Sequence, residues 1–165
     1  MIKPKILITN DDGILSKGIY ALWEAMHDLG DTFIVAPSTE KSASSHSLTL
    51  SDPLTVKVIE RESGFKGWSI SGTPVDCVKI AIRNILKDRP NIVISGINHG
   101  ANLGSNIMYS GTVSAAAEGM IMGIPSVAIS LASYKTDNYD VVKNFAKKIV
   151  ENIMDYGMPK DTLLN

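Results

Sequence analysis

Short apolar runs alternate along this chain with segments whose apolar residues recur every three or four positions, and this alternation constrains the fold most. Uninterrupted apolar runs at 6–8, 33–36, 92–94 and 126–129 are typical of strands covered on both faces. The helical spacing is shown by three sets of residues: Ile19, Leu22, Trp23 and Met26; Val78, Ala81, Ile82 and Ile85; and Val142, Phe145, Ile149 and Ile153. The third set predicts a helix in the region 139–155. The pattern predicts right-handed βαβ units, and therefore an α/β fold with a Rossmann-like, doubly wound, mainly parallel sheet.

One stretch departs from this alternation. Apolar and polar residues alternate over 54–58, a Glu-Ser-Gly turn follows, and apolar residues return within 68–70. This pattern predicts an antiparallel β-hairpin inserted into the α/β framework. The helix after it is expected to use Thr73 as its N-cap and to begin at Pro74.

Length and composition favour one globular domain over residues 1–165. Apolar residues make up 44% of the chain and charged residues 20%, a balance typical of soluble globular proteins. The net charge is −1 and the basic residues are dispersed, which argues against binding a nucleic acid polymer. Cys77 is the only cysteine, so an internal disulfide is excluded and a cytoplasmic location is expected. No apolar run approaches the roughly 18 residues of a membrane span.

Polar residues follow the predicted strands, where ligands bind in open α/β sheets. Asp11 and Asp12 follow the first apolar run, a hydroxyl-rich loop with Ser42 follows the second, and Asn98 follows the third in a glycine-containing segment. Carboxylate, hydroxyl and amide oxygens are hard ligands, so a shared site would favour Mg²⁺, Mn²⁺ or Ca²⁺ over zinc. Taken singly, such residues are also common in ordinary turns.

A second feature is the start of the alanine-rich helix at Ser110, Gly111 and Thr112. Exposed backbone N–H groups, small residues and the positive end of a helix dipole suit a phosphate, although the same residues can serve only as an N-cap. A metal site and an anion site together indicate phosphoryl chemistry.

Five motifs, taken in order, resemble the SurE family, the survival-protein nucleotidases. They are Ile-Thr-Asn-Asp-Asp-Gly-Ile at 8–14, Lys-Ser-Ala at 41–43 with His46 and Ser47, Ser-Gly-Thr-Pro-Val-Asp-Cys-Val at 71–78, Ser-Gly-Ile-Asn at 95–98 and Tyr-Ser-Gly-Thr-Val at 109–113. The resemblance spans essentially the whole chain. It implies a hydrolase of nucleoside 5′-monophosphates that also accepts 3′-monophosphates, with some members shortening polyphosphate, and one divalent cation per subunit, Mg²⁺ or Mn²⁺.

The resemblance also assigns residues to roles. The residues that match the family's metal ligands are Asp11, Asp12, Ser42 and Asn98. The residues that match its phosphate surroundings are Asn102, Ser110, Gly111 and Thr112. We expect Asp12, or else Asp11, to orient or deprotonate the attacking water, while Ser110, Thr112 and the helix N-terminus stabilise charge on the phosphate. Asn102 is included among the expected catalytic residues.

The end of the chain also matches the family. The stretch from Leu163 to Asn165 resembles the start of a strand that leads, in the family, into an oligomerisation segment, which this chain is expected to lack. The resemblance implies a homodimer or homotetramer for the complete protein.

Three other functions are open as alternatives to a SurE-type nucleotidase. They are a non-catalytic nucleotide- or metal-binding module, a structural protein, and a haloacid-dehalogenase-like phosphatase, whose Asp-x-Asp nucleophile motif differs from the adjacent Asp11 and Asp12.

Overall fold

The computed structural model describes residues 3–136 and 138–165, and its central element is a seven-stranded sheet. The predicted domain of 1–165 also includes Met1, Ile2 and Asp137, which lie outside the described residues. The strands are β1 (Lys5–Thr9), β2 (Asp31–Pro37), β3 (Val56–Glu60), β4 (Lys66–Ile70), β5 (Ile92–His99), β6 (Ser126–Leu131) and β7 (Leu163–Leu164). The helices are α1 (Lys17–Met26), α2 (Pro74–Ile80), α3 (Gly111–Ile121) and α4 (Asp140–Tyr156). A π-helical turn, Ala81–Ile85, continues α2, and a 3₁₀ helix, Gly104–Tyr109, precedes α3.

The sheet is covered on both faces, as the continuous apolar strands predict. Its order is β3-β4-β2-β1-β5-β6-β7, and every pairing is parallel except that of β3 with β4. Ile6 and Ile8 of β1 pack into the core beneath α1 and α4, whereas Leu7 packs into the core beneath α2 and α3. This alternation of sides is the two-residue period of a strand. The doubly wound α/β prediction is confirmed.

The predicted hairpin is present and extends the main sheet. β3 pairs with β4 in antiparallel register, with Val58 opposite Trp68, and β4 lies parallel to β2. α2 then begins as predicted, because the Thr73 hydroxyl accepts a hydrogen bond from the Asp76 backbone N–H at 3.1 Å and the Asp76 carboxylate accepts one from the Thr73 N–H at 2.9 Å. This reciprocal capping box fixes where the helix starts.

The strand order reverses between β1 and β5. From β1 the chain crosses to β2 on one side, whereas β5 pairs with β1 on the other side, with Thr9 opposite Ser95. A crevice is expected outside the carboxyl ends of strands at such a switch point. The residues after β1 and those at the end of β5 therefore lie where a ligand would bind. None of the described helices is both long enough and apolar enough to cross a bilayer.

Candidate active site at the strand ends

Asp11 joins the end of β1 to the start of α3. Only 5% of its surface is exposed, and its Oδ1 accepts a hydrogen bond from the Thr112 hydroxyl, 101 positions away in the sequence. Burial raises the pKa of the Asp11 carboxyl above its ordinary value, although the Thr112 hydrogen bond acts in the opposite direction. The fold thus places a buried carboxylate beside the positive end of a helix.

Gly111 permits this close approach. A Cβ at this position would lie 2.7 Å from the Asp11 Cβ and 2.8 Å from the Ser44 Oγ, closer than real Cβ contacts. The Ser44 Oγ is itself buried and has no hydrogen-bond partner among the described residues. Three distant segments therefore converge on one point, beside a buried hydroxyl that has no hydrogen-bond partner in residues 3–136 and 138–165.

Asp12 lies in a crowded acidic environment. Its pKa is raised to about 6, first by burial and then by the charges of Asp11 and Glu40, while a hydrogen bond with the His99 backbone opposes the shift. Crowded carboxylates repel one another, and a bound cation would relieve that repulsion. Glu40 did not belong to the ligand set predicted from the sequence.

The hydroxyl-rich loop after β2 reaches the same region. The Lys41 backbone N–H donates to the Asp11 carbonyl oxygen at 2.7 Å, which anchors the loop beside the end of β1. The exposed Ser42 donates its hydroxyl to Glu40 Oε1 at 2.5 Å. Ser42 therefore lies on the anchored loop, and its expected role as a metal ligand stays a prediction.

The two asparagines have different surroundings. The Asn98 side-chain nitrogen donates to the Gly100 carbonyl oxygen at 2.7 Å, a bond that does not use its Oδ1, and the expected role of Asn98 as a metal ligand stays a prediction. The Asn102 side chain instead donates to the Ser130 hydroxyl of β6 at 2.9 Å and lines a groove between β6 and α4. Among the described hydrogen bonds, none joins Asn102 to the Asp11 cluster, and its expected contact with phosphate stays a prediction.

Ser110 is the N-cap of α3. It is buried, and its hydroxyl accepts a hydrogen bond from the Val113 backbone N–H at 3.1 Å. The capping interpretation is therefore correct for its side chain. The first backbone N–H groups of α3 lie next to the Asp11 carboxylate through Gly111 and Thr112, which is the arrangement that the anion-site hypothesis needs.

The donor chemistry fits a hard cation. Carboxylate, hydroxyl and amide oxygens surround the end of β1, and Asn10 Oδ1 is buried without a hydrogen-bond partner in the described part of the chain. Within residues 3–136 and 138–165, no three His, Cys, Asp or Glu side chains form a metal-binding group. A mixed oxygen set such as Asp11, Asp12, Ser42 and Asn98 matches Mg²⁺ or Mn²⁺ better than zinc.

Three residues in or beside this region were not among those predicted from the sequence: Glu40, Ser44, and Glu118, which binds His46 of the same loop. Glu40 and Ser44 lie within the hydroxyl-rich loop, and neither has a spacing that separates it from its neighbours. Glu118 did carry a signal, because it is the only charged residue of α3 and yet is buried among apolar residues. A charge in that position requires buried partners.

One protein family matches nearly the whole chain. The family model described as "Survival protein SurE" matches residues 6–165. This chain belongs to the SurE family. Among SurE relatives, the "5′-nucleotidase SurE" of Chlorobium limicola is 46% identical over 163 residues, which are 99% of this chain and 63% of the relative. That of Syntrophomonas wolfei is 48% identical over 164 residues, covering 98% of this chain and 61% of the relative.

A solved SurE structure has the same fold. The crystal structure of the SurE protein from Aquifex aeolicus superposes with a TM-score of 0.86 at 42% identity, covering 97% of this chain and 64% of that one. This chain therefore spans a little over three fifths of the length of these SurE relatives.

Proposed function

We propose that this SurE domain hydrolyses nucleoside 5′-monophosphates to nucleoside and phosphate with the help of a divalent cation. The observation that carries the proposal is the hydrogen bond between Thr112 and Asp11, because it sets an acidic, cation-attracting cluster against the N-terminus of α3. Family membership and the printed name of the relatives, 5′-nucleotidase SurE, support the same chemistry.

In the proposed mechanism, Asp11, Asp12, Ser42 and Asn98 hold the cation. When bound, the cation would withdraw charge from phosphorus. Asp12 is less buried than Asp11 and thus more accessible to water, so we assign it the task of orienting the attacking water and accepting its proton.

The rest of the reaction concerns the phosphate. A bond forms between the water oxygen and phosphorus while the bond from phosphorus to the 5′-oxygen breaks. The 5′-oxygen takes a proton from solvent water as the nucleoside leaves, and Asp12 returns its proton to solvent. Ser110, Gly111 and Thr112 at the start of α3 bind the phosphate, and the backbone N–H groups there stabilise charge on its equatorial oxygens. Asn102 is proposed as a further phosphate contact.

Finer points of the proposal come from the family resemblance. They are one Mg²⁺ or Mn²⁺ per subunit, activity also toward 3′-monophosphates and polyphosphate, and a homodimer or homotetramer for the complete protein. The cytoplasm is the proposed location, supported by the single cysteine, Cys77, which is buried as a free thiol.

A nucleotide panel tests the proposal. Phosphate release from 5′- and 3′-monophosphates is measured with Mg²⁺, with Mn²⁺ and with chelator, and we expect metal-dependent release from the 5′-monophosphates. Binding of Mn²⁺ and nucleotide without turnover would instead indicate a non-catalytic binding module. Trapping of a phosphoaspartate would indicate the haloacid-dehalogenase mechanism.

A further inference from the structure

Glu118 is a buried carboxylate outside the predicted site. It lies on α3, about 1.7 turns beyond Thr112, and only 3% of it is exposed. Its Oε2 accepts a hydrogen bond from His46 Nε2 at 2.8 Å, and its Oε1 accepts one from Lys79 Nζ at 2.5 Å. Burial alone would raise the pKa of Glu118, but the hydrogen bonds from Lys79 and His46 lower it below its ordinary value. The buried group is therefore an ionised acceptor with a partner on each oxygen.

The two partners belong to different parts of the fold. Lys79 lies on α2, which packs beside α3 in the same helical layer. His46 lies on the loop after β2 that carries Ser42 and Ser44. One carboxylate thus binds a neighbouring helix with one oxygen and the loop of the candidate site with the other.

The segment before His46 is anchored to the site by its backbone. The Lys41 N–H donates to the Asp11 carbonyl oxygen at 2.7 Å, and the Ser45 N–H donates to the Tyr109 carbonyl oxygen at 3.1 Å. At the next residue, the side chain of His46 binds Glu118 and so ties this segment to α3 by a side-chain hydrogen bond. Without it, residues 41–46 would keep these two backbone bonds and the bond that the Ser47 hydroxyl donates to the Ser44 carbonyl oxygen at 2.7 Å, with Ser47 tied in turn to Thr73 at the start of α2.

We propose that Glu118 is a positioning residue that acts through His46 to hold residues 41–46, and with them Ser42 and Ser44, against Asp11 and the N-terminus of α3. Its bond to Lys79 serves a different purpose, the packing of α2 against α3. The link to metal and phosphate binding rests on the proposed function, whereas the effect on the loop does not.

Three variants separate the effects of the two hydrogen bonds that Glu118 accepts. His46→Ala removes the donor on the loop, His46→Gln keeps an N–H donor of similar reach, and Lys79→Met removes the donor on α2 while keeping most of the side-chain volume. Amide hydrogen exchange of residues 38–50 is measured on the metal-free chain, with thermal unfolding and calorimetric titration of Mn²⁺ on the same samples.

We expect His46→Ala to speed exchange at Lys41 and Ser45 about tenfold and to weaken Mn²⁺ binding several-fold, with both effects largely reversed in His46→Gln. Lys79→Met is expected to lower the unfolding midpoint while leaving exchange at Lys41 and Ser45 unchanged. Unaltered loop exchange in His46→Ala, or equal acceleration in Lys79→Met, would overturn the inference. Absence of turnover in the wild-type chain would count against the proposed function alone, because loop exchange is measured without metal or substrate.

Discussion

Asp11 and Asp12 are adjacent in the sequence but differ in environment. Asp11 is almost fully buried and bonded to Thr112, whereas Asp12 is partly exposed and its pKa is raised to about 6 by burial and by the neighbouring acids Asp11 and Glu40. Such a cluster weakens the metal-free fold and favours binding of a cation. Neutralising one of these carboxylates should therefore lower activity and raise the stability of the metal-free protein.

Asp12→Asn is expected to lower hydrolysis at least about a hundredfold, since a general base is lost. The same change should raise the unfolding midpoint in the presence of chelator, because one charge leaves the crowded cluster. Phosphate release and thermal unfolding with chelator measure the two effects. Asp52→Asn, the same change at an exposed loop position, is the control and should alter neither. A fully active Asp12→Asn enzyme would remove Asp12 from the mechanism.

Substitutions at Ser110 and Thr112 are expected to have different effects on Mn²⁺ binding. Ser110→Ala removes the N-cap of α3 and should cost about 1 kcal/mol of stability while weakening competition by inorganic phosphate more than Mn²⁺ affinity. Thr112→Val should weaken Mn²⁺ affinity as well, because the Asp11 carboxylate loses its hydroxyl donor. Calorimetry with Mn²⁺ and inhibition by phosphate distinguish these effects, and equal profiles for both variants would contradict the assignment.

Among the secondary-structure elements, α3 contacts the candidate site at its N-terminus and the loop after β2 further along its length. Its first residues meet Asp11 and Ser44, while Glu118 further along binds the loop and α2. The helix packs on β5 and β6, so its N-terminus is carried to the strand ends by the sheet. The geometry of the site therefore depends on how closely this helix approaches β1.

Gly111→Ala tests that approach. Alanine favours a helix, but its Cβ would lie 2.7 Å from the Asp11 Cβ and 2.9 Å from Asp11 Oδ2. We expect lower stability together with weaker Mn²⁺ and phosphate binding, measured by thermal unfolding and calorimetry. Gly119→Ala, on the same helix, is the matched control, because its Cβ would lie 2.5 Å from Ser126 Oγ of β6. It should lower stability and leave ligand affinities intact; a loss of affinity in both variants would indicate a general distortion of α3.

In the molecule as a whole, Glu118 with Lys79 and His46 forms a charged cluster around a buried carboxylate that joins α2, α3 and the loop after β2. Its carboxylate is 3% exposed, whereas Glu24, which pairs with Lys143 at 3.0 Å, has a side chain 40% exposed. Exposed ion pairs contribute little to stability. Removing a buried acceptor costs more, because its donors are left without a partner.

Glu118→Gln should therefore lower the free energy of unfolding by about 1–3 kcal/mol at neutral pH. The folded-state pKa of Glu118 lies below its ordinary value of 4.5, so the ionised form is the stabilising one. The stability difference between wild type and variant should be fully present above pH 4.5 and should shrink as the pH falls through the lowered pKa. Urea unfolding at neutral and acidic pH measures it.

The control for this pH dependence is Glu24→Gln, which should change stability little at either pH. A stability difference for Glu118→Gln that grew on acidification would mean that the neutral carboxyl is preferred in the fold, contrary to the lowered pKa.

Local periodicity, capping and the geometry of parallel sheets were enough to predict the order of strands and helices along the chain, the hairpin, the start of α2 and the position of Asp11, Asp12 and Asn98 at strand ends. Four contacts depend on the tertiary fold: Glu40 lies near both aspartates, Ser44 lies next to Gly111, Asn102 donates to Ser130, and Glu118 binds His46. Those contacts join residues that are distant in the chain. They depend on side-chain packing between α3, β6 and the loop after β2, and no local sequence pattern encodes that packing.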